Sequence, residues 1–404
     1  MRTVGIICEY NPFHRGHKHQ IDTLRKMGYD RIVCVMSGNF TQRCELAMFD
    51  KYTRAKSAVL GGADIVLELP FPYCSLSAEG FATAGVHILS KIGVDAISFG
   101  SECADKDMLN SAAEAIISEE FVNKYIALQR SGAGGSAKCY FEALSSVLAK
   151  DVSLLSNDIL AISYIAAIKR LGCRMDIVPI KREGLHYNDL ELCNDQLPSA
   201  SAIRSAIGKG LVDEALSAFV DPSAAEPLTN AIRSGIAPVG TNNIGDRILS
   251  FFKLLSANEI CSRATMRSGG ETVAEDGCGI CERLCKSARA NQDFGGFINS
   301  AYNAKYTDAR INRVMLFALL GVSDGLCHAL PSHTTLLASS NGGRELLSSW
   351  RKSCEFPIIT KPADAPEGVL SGIGRAADEL YVSAMPNAMP ADYFVKQKPY
   401  IEIK

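Results

Sequence analysis

The sequence predicts an α/β protein, a doubly wound parallel sheet of Rossmann-like type followed by a mainly helical C-terminal domain. Three observations carry that expectation. Over the first two hundred residues short β-rich apolar runs alternate with stretches of helical periodicity. Beyond about residue 210 the β-runs fade and helical patterns dominate. The chain has 404 residues, 47% hydrophobic and 21% charged, enough for two or three domains with a sizeable core. Strands separated by helices need crossover connections, and crossovers make neighbouring strands parallel.

The elements follow in order. Residues 3–7 form a short apolar β-run, and the helical stretch 17–27 stops at Gly28, which suits a C′ position. Residues 31–36 (R-I-V-C-V-M) read as a buried second strand. Asp50 is an N-cap for a helix over 51–60 that ends on Gly61 and Gly62. Residues 64–67 make a third strand, 77–92 a helix and 95–99 a fourth strand. A helix over 157–171 leads to a fifth strand at 176–180. From 211 to 320 the pattern is helical, broken by Gly- and Pro-containing stretches such as 234–241. The last seventy residues mix short runs at 357–360 and 400–403 with a helix near 344–352. Two domains result, 1–210 and 211–404, with no internal repeat.

Composition excludes several classes. Lys and Arg number 42 against 44 Asp and Glu, a net charge of −2, so no global basic field attracts nucleic acid. The first apolar run is too short for a signal peptide and no stretch reaches the ~18 apolar residues of a membrane span. The 14 Cys are scattered, which suits reduced thiols in a cytoplasmic protein.

The segment richest in chemistry is E-Y-N-P-F-H-R-G-H at 9–17, directly after the first strand. Ligands of parallel sheets bind at loops beyond the strands' C-terminal edge. Gly16 permits close backbone approach where a helix begins, and a helix N-terminus offers free N–H groups to an anion. His14 and His17 flank that glycine and can reach one phosphate together, stabilising charge that develops on it. Spacing alone fits two surface histidines in a turn equally well. A metal site on His14, His17 and His19 lacks a carboxylate or thiol partner, so no metal is expected. A second element, S-A-S-A-I-R at 199–204, places two hydroxyls and an arginine at a helix start.

The first block resembles the H-x-G-H signature of the nucleotidyltransferase superfamily, and the second its S-x-S-x-x-R motif. M-S-G-N-F-T-Q-R at 36–43, D-K-Y-T-R-A at 50–55, F-G-S-E at 99–102 and K-R-E-G at 181–184 narrow the likeness. With K-Y-T-D-A-R-I-N-R at 305–313, G-R-E-L-L at 343–347 and P-I-I-T-K-P-A-D at 357–364, the chain resembles the bacterial tRNA(Met) cytidine acetate ligase family. The resemblance implies an ATP-dependent enzyme that forms acetyl-adenylate and transfers acetyl to N4 of the wobble cytidine of elongator tRNA(Met). ATP with Mg²⁺, acetate and tRNA are then the small-molecule and macromolecular partners, with neither DNA nor a membrane involved. It makes 1–210 the ATP-binding catalytic domain and 211–404 the tRNA-binding domain. The alternatives are an adenylyltransferase for a small phosphorylated metabolite and a non-catalytic nucleotide- or RNA-binding protein.

The resemblance also implies roles for residues. His14, His17 and Arg204 are the catalytic group. ATP is held by Ile7, Cys8, Glu9, Tyr10, Asn11, Pro12, Phe13, His14, Gly16, His17 and Lys18 of the loop, with Gly100, Asn157, Arg182, Ser199 and Ser201. Lys305, Tyr306, Arg310 and Arg313, basic and aromatic residues interleaved, are expected to contact tRNA. Lys181, Arg182, Lys286 and Arg289 are further basic positions for RNA. Lys51 and Arg54 read as an exposed charge pair one helical turn apart. Arg15, where the family has Asn, adds a cation beside the phosphates; Cys44 and Leu46 replace a Gly and a Pro. Cys278, Cys281 and Cys285 share one helical face, which a buried stripe explains as well as a metal, and a fourth ligand is missing.

Overall fold

The computed structural model describes residues 1–132, 134–149, 154–182, 199–264, 267–268, 271–272, 279–303, 306–322 and 324–403. Five strands, β1 (Thr3–Cys8), β2 (Arg31–Ser37), β3 (Ile65–Leu69), β4 (Ala96–Ser101) and β5 (Asp176–Lys181), lie parallel in the order 3-2-1-4-5. They match the five expected from sequence to within two residues at each end. Every residue of β2 and β3 except Arg31 is buried, so both faces of the sheet are covered.

Helices α1 (Arg15–Lys26), α2 (Lys51–Leu60) and α3 (Ala78–Ile92) carry the first three crossovers. Then α4 (Lys106–Ile117), α5 (Glu119–Arg130), α6 (Ser136–Leu148) and α7 (Ser156–Arg170) link β4 to β5. Local chemistry sets the boundaries. Gly28 takes φ +83° just past α1, and Asp50 caps α2 by accepting from Tyr52 N at 2.9 Å and Thr53 N at 3.1 Å.

After β5 the chain is helical: α8 (Ala200–Gly208), α9 (Val212–Phe219), α10 (Pro222–Arg233), α11 (Gly245–Leu254) and α12 (Ala257–Arg263). A minimal hairpin, β6 (Arg267–Ser268) and β7 (Glu271–Thr272), precedes α13 (Gly279–Ala290), α14 (Phe294–Ala301), α15 (Asp308–Leu320) and α16 (Asp324–His328). No helix among the described residues is long and apolar enough to cross a membrane.

The remaining chain differs from the expectation of a helical second half. Strand β8 (Thr334–Ser339) returns to pair antiparallel with β3, and α17 (Asn341–Ser353) follows it. Strand β9 (Ile358–Ile359), α18 (Val369–Val382) and β10 (Tyr400–Ile401) complete the chain, both strands pairing parallel with β8. The full order is β10-β8-β3-β2-β1-β4-β5 with β9 off the path. The sheet is therefore mixed, and residues from both halves of the sequence build it.

Lys51 and Arg54 are not the exposed pair that their spacing suggested. Arg54 is fully buried and donates to the carbonyls of Phe49 at 2.8 Å, Glu9 at 2.5 Å, Ser37 at 3.1 Å and Gly38. One cation thus ties the loop after β1 to the loop after β2. Lys51 Nζ lies 2.8 Å from both Glu68 of β3 and Asp378 of α18. Burial opposes the charge on Lys51, and the two carboxylates outweigh it, so its pKa is raised. Asn39 completes the cluster, donating to Asp378 at 2.9 Å and accepting from Lys51 N at 2.9 Å.

Candidate active site

The strand order reverses between β1 and β4, and a cleft of about 390 Å³ opens beyond their C-terminal ends. Its base is the loop between β1 and α1. Apolar residues of that loop form a support: Phe13 is buried, and Tyr10 packs edge-on against it with ring centroids 5.1 Å apart. Tyr10 also lies against His17 at 4.6 Å, at a left-handed φ of +46°. The support fixes where the imidazoles stand.

His14 is the N-cap of α1, its Nδ1 accepting from Gly16 N at 3.1 Å. His17 Nδ1 in turn accepts from His14 N at 3.2 Å. The two rings stack with centroids 3.7 Å apart. A Cβ on residue 16 would lie 2.9 Å from the His14 ring, so only glycine fits between the histidines. Because each Nδ1 is an acceptor, each neutral ring carries its proton on Nε2, and both rings offer an N–H donor. Burial, reinforced by Arg182 and Arg204, lowers the His14 pKa to about 3. Burial and then His14 and Arg182 hold His17 well below the usual histidine range. Both are neutral at physiological pH, so the cleft presents two aligned donors without titrating there.

The cations come from the far side of the sheet. Arg204 of α8 donates from Nη1 to Asn11 O at 2.8 Å and from Nη2 to Ser201 Oγ at 3.1 Å, so it bridges the loop and the S-A-S-A-I-R helix. Ser199 is buried and caps α8 through Ala202 N at 3.1 Å. Arg182 reaches Asn157 Oδ1 at 3.4 Å, while Asn157 donates its amide to Glu102. A Cβ on Gly100 would meet the Arg182 stem at 3.3 Å. Among the described residues no cluster of three His, Cys, Asp or Glu could hold a metal.

Of the residues expected to be catalytic or to hold ATP, Ile7, Cys8, Glu9, Tyr10, Asn11, His14, Gly16, His17, Gly100, Asn157, Arg182, Ser199 and Arg204 line the cleft. Pro12, Phe13, Lys18 and Ser201 do not: Phe13 is core, and Lys18 pairs with Asp22 at 3.0 Å. Arg15 does not line the cleft and donates to Ser217 O of α9 at 3.3 Å. Sequence reading did not assign the apolar wall of Phe81, Phe99, Leu160 and Tyr164, because nothing distinguishes such residues from core. Gln42 and Arg43 also line the cleft, and their place in the quoted M-S-G-N-F-T-Q-R segment was the available signal.

The expected tRNA segment is placed differently. Arg313 is buried, its guanidinium donating to the carbonyls of Ser75 at 2.6 Å, Gln42 at 3.0 Å and Leu76 at 3.0 Å. Tyr306 is buried, and Arg310 is half-buried over its ring at 5.5 Å. Arg313 is thus a bracket between α15 and the loops after β2 and β3, not a phosphate ligand on the surface. Lys305, Glu183, Gly184, Pro198 and Cys278 lie outside the described residues. Cys281 and Cys285 are buried on α13, Cys285 donating to Leu255 O at 3.4 Å.

Residues 1–393 match the family described as HIGH Nucleotidyl Transferase. The tRNA(Met) cytidine acetate ligase of Limosilactobacillus reuteri is 33% identical, over 94% of this chain and 95% of that one. The chain belongs to the tRNA(Met) cytidine acetate ligases. The ligase of the same name from Clostridium perfringens is 30% identical over 98% of both chains. The fold of this ligase matches apo Thermotoga maritima TmcAL with a TM-score of 0.87 at 27% identity, over 99% of both chains. It also matches TmcAL bound with alpha-thio ATP, with a TM-score of 0.85 at 26% identity over 99% of both.

Proposed function

We propose that the ligase joins acetate to ATP, releasing pyrophosphate, and passes acetyl from the resulting adenylate to N4 of the wobble cytidine of elongator tRNA(Met). The observation that carries this is the pair of stacked, neutral histidines, each with its Nδ1 occupied, at the start of α1. As acetate attacks the α-phosphorus, negative charge grows on its oxygens. Two preorganised Nε2–H groups and the α1 N-terminus stabilise that charge more in the transition state than in bound ATP. Arg204 and the start of α8 then hold the departing pyrophosphate. Arg182 and Asn157 position the nucleoside against the apolar wall.

Mg²⁺ is expected to arrive on the phosphates, since no metal-holding cluster is found among the described residues and Mg²⁺ needs few protein ligands when phosphates supply oxygens. Residues 1–210 act as the catalytic part and 211–404 as the tRNA-handling part, working in the cytoplasm. With Arg313 engaged internally, the exposed Arg43, Lys181 and Arg182 at the cleft, and Lys286 and Arg289 on α13, are the cations offered to tRNA. The deciding experiment measures ATP–pyrophosphate exchange with and without acetate, then N4-acetylcytidine in tRNA by nucleoside mass spectrometry. Exchange that ignores acetate, or tRNA that stays unmodified, overturns the reading.

A further inference from the structure

We propose that Glu9 is the carboxylate that receives the exocyclic amine of the acceptor cytosine and takes its proton as the acetyl group is transferred. This rests on the function proposed above and supplies a residue for its second step.

The cleft is otherwise built for anions, with His14, His17, Arg182 and Arg204 around it. Among the described residues two carboxylates line it, Glu9 half-buried and Glu45 exposed. A carboxylate here repels a polyphosphate, so the Glu9 side chain is not a ligand of the ATP phosphates even though its loop lines the ATP cleft. Its position is nevertheless fixed from two sides. Gln42 N donates to Glu9 Oε1 at 2.6 Å, and Arg54 Nη1 holds the Glu9 carbonyl at 2.5 Å. Among the described residues no hydrogen bond reaches Oε2. The carboxylate is therefore an oriented acceptor in a cleft whose second substrate presents an amine donor, and carboxylates accept from cytosine N4.

The chemistry requires such a group. N4 attacks the acetyl carbonyl carbon of the adenylate, an N–C bond forms, and the C–O bond to phosphate breaks with its electron pair leaving on AMP. N4 must shed one proton, and Glu9 accepts it. Burial raises the Glu9 carboxyl; the Gln42 N–H, Arg204 of α8 and Arg54 of α2 oppose that rise, and Glu45 adds to it. Tyr164 of α7 faces it as a neutral phenol, its pKa raised by burial. His14 titrates near 3, below the range in which a raised carboxyl changes charge.

The test is single-turnover transfer from synthetic acetyl-adenylate to full-length tRNA, followed between pH 5 and 8. The wild-type rate should fall on the acid side as the carboxyl protonates. Glu9→Gln keeps an oxygen for Gln42 N and loses the base, so it should be roughly 10²–10⁴-fold slower with no acid limb. Glu9→Asp should be slower yet keep the limb, which covers the case in which Glu9→Gln does not fold. A Glu9→Gln rate within about threefold of wild type, or an Asp variant without the limb, overturns the assignment. Wild-type enzyme that transfers nothing indicts the proposed function instead.

Discussion

Arg313 Nε stands 2.6 Å from the carbonyl oxygen of Ser75, an oxygen that also accepts from Cys44 Sγ at 3.1 Å. Ser75 follows β3, Cys44 follows β2, and Arg313 belongs to α15 of the helical part. The same guanidinium holds Gln42 O, and Gln42 N holds the Glu9 carboxylate in the cleft. Packing of α15 is therefore connected through two hydrogen bonds to the cleft.

If Arg313 is such a bracket, Arg313→Ala removes three hydrogen bonds from a buried cation to backbone carbonyls and should lower stability by about 2–4 kcal/mol. The salt dependence of tRNA binding, measured below the melting transition, should keep its wild-type slope. A slope reduced by about one unit would identify a phosphate contact.

The imidazole pair gives a prediction with two readouts. His17→Ala, and His14→Asn in which the amide oxygen can still cap Gly16 N, should each slow acetate-dependent pyrophosphate exchange about 10²–10³-fold. Equilibrium ATP affinity should change far less, because the donors act on charge that appears in the transition state. Parallel losses in affinity and exchange would contradict that role.

Lys51 is enclosed with two carboxylates, and Lys51→Met strands them. The cost should be about 3–5 kcal/mol in the unfolding free energy measured by denaturant titration. Replacing Lys51, Glu68 and Asp378 together by apolar residues should recover most of it. A Lys51→Met protein as stable as wild type would show that the charges are not desolvated.

Acid stability follows from His14. Its folded pKa of about 3 is below the unfolded value near 6.5, so the unfolded chain binds more protons between those limits. The stabilisation is complete above pH 6.5 and is lost as pH falls toward 3, at about 1.4 kcal/mol per pH unit. His14→Asn should flatten the slope of unfolding free energy against pH by about that amount between pH 6 and 4. An unchanged slope would mean the ring is protonated in the folded protein.

The first five strands and their helix caps were legible because each rests on local signals, a β-rich run or an Asp or Gly at a boundary. The cleft-lining loop after β1 was legible for the same reason, as His14, Gly16 and His17 lie within four residues. Strand β8 was not, since T-T-L-L-A-S has no clear alternation and its partner β3 lies far away in sequence. Arg313 misled because basic residues within a helix usually mark its wet side, yet α15 is buried from Ile311 through Ala318. Cys44 shows the reverse case. It stands where the resemblance leads one to expect Gly and adopts φ +62°, a backbone that favours glycine, and a buried thiol bonded to Ser75 O fills the space.

Strand β3 ends at Leu69, and the strand that covers its outer edge begins only at Thr334. During synthesis at roughly 5–20 residues per second, that edge waits on the order of ten to fifty seconds for its partner. An unpaired edge of β3, with Ile65, Val66, Leu67 and Leu69 in it, is a template for pairing between nascent chains on one messenger RNA. Ribosome spacing and the holdase capacity of the host then become determinants of yield, and premature termination just before residue 334 releases a fragment with its cleft loop complete and its sheet open.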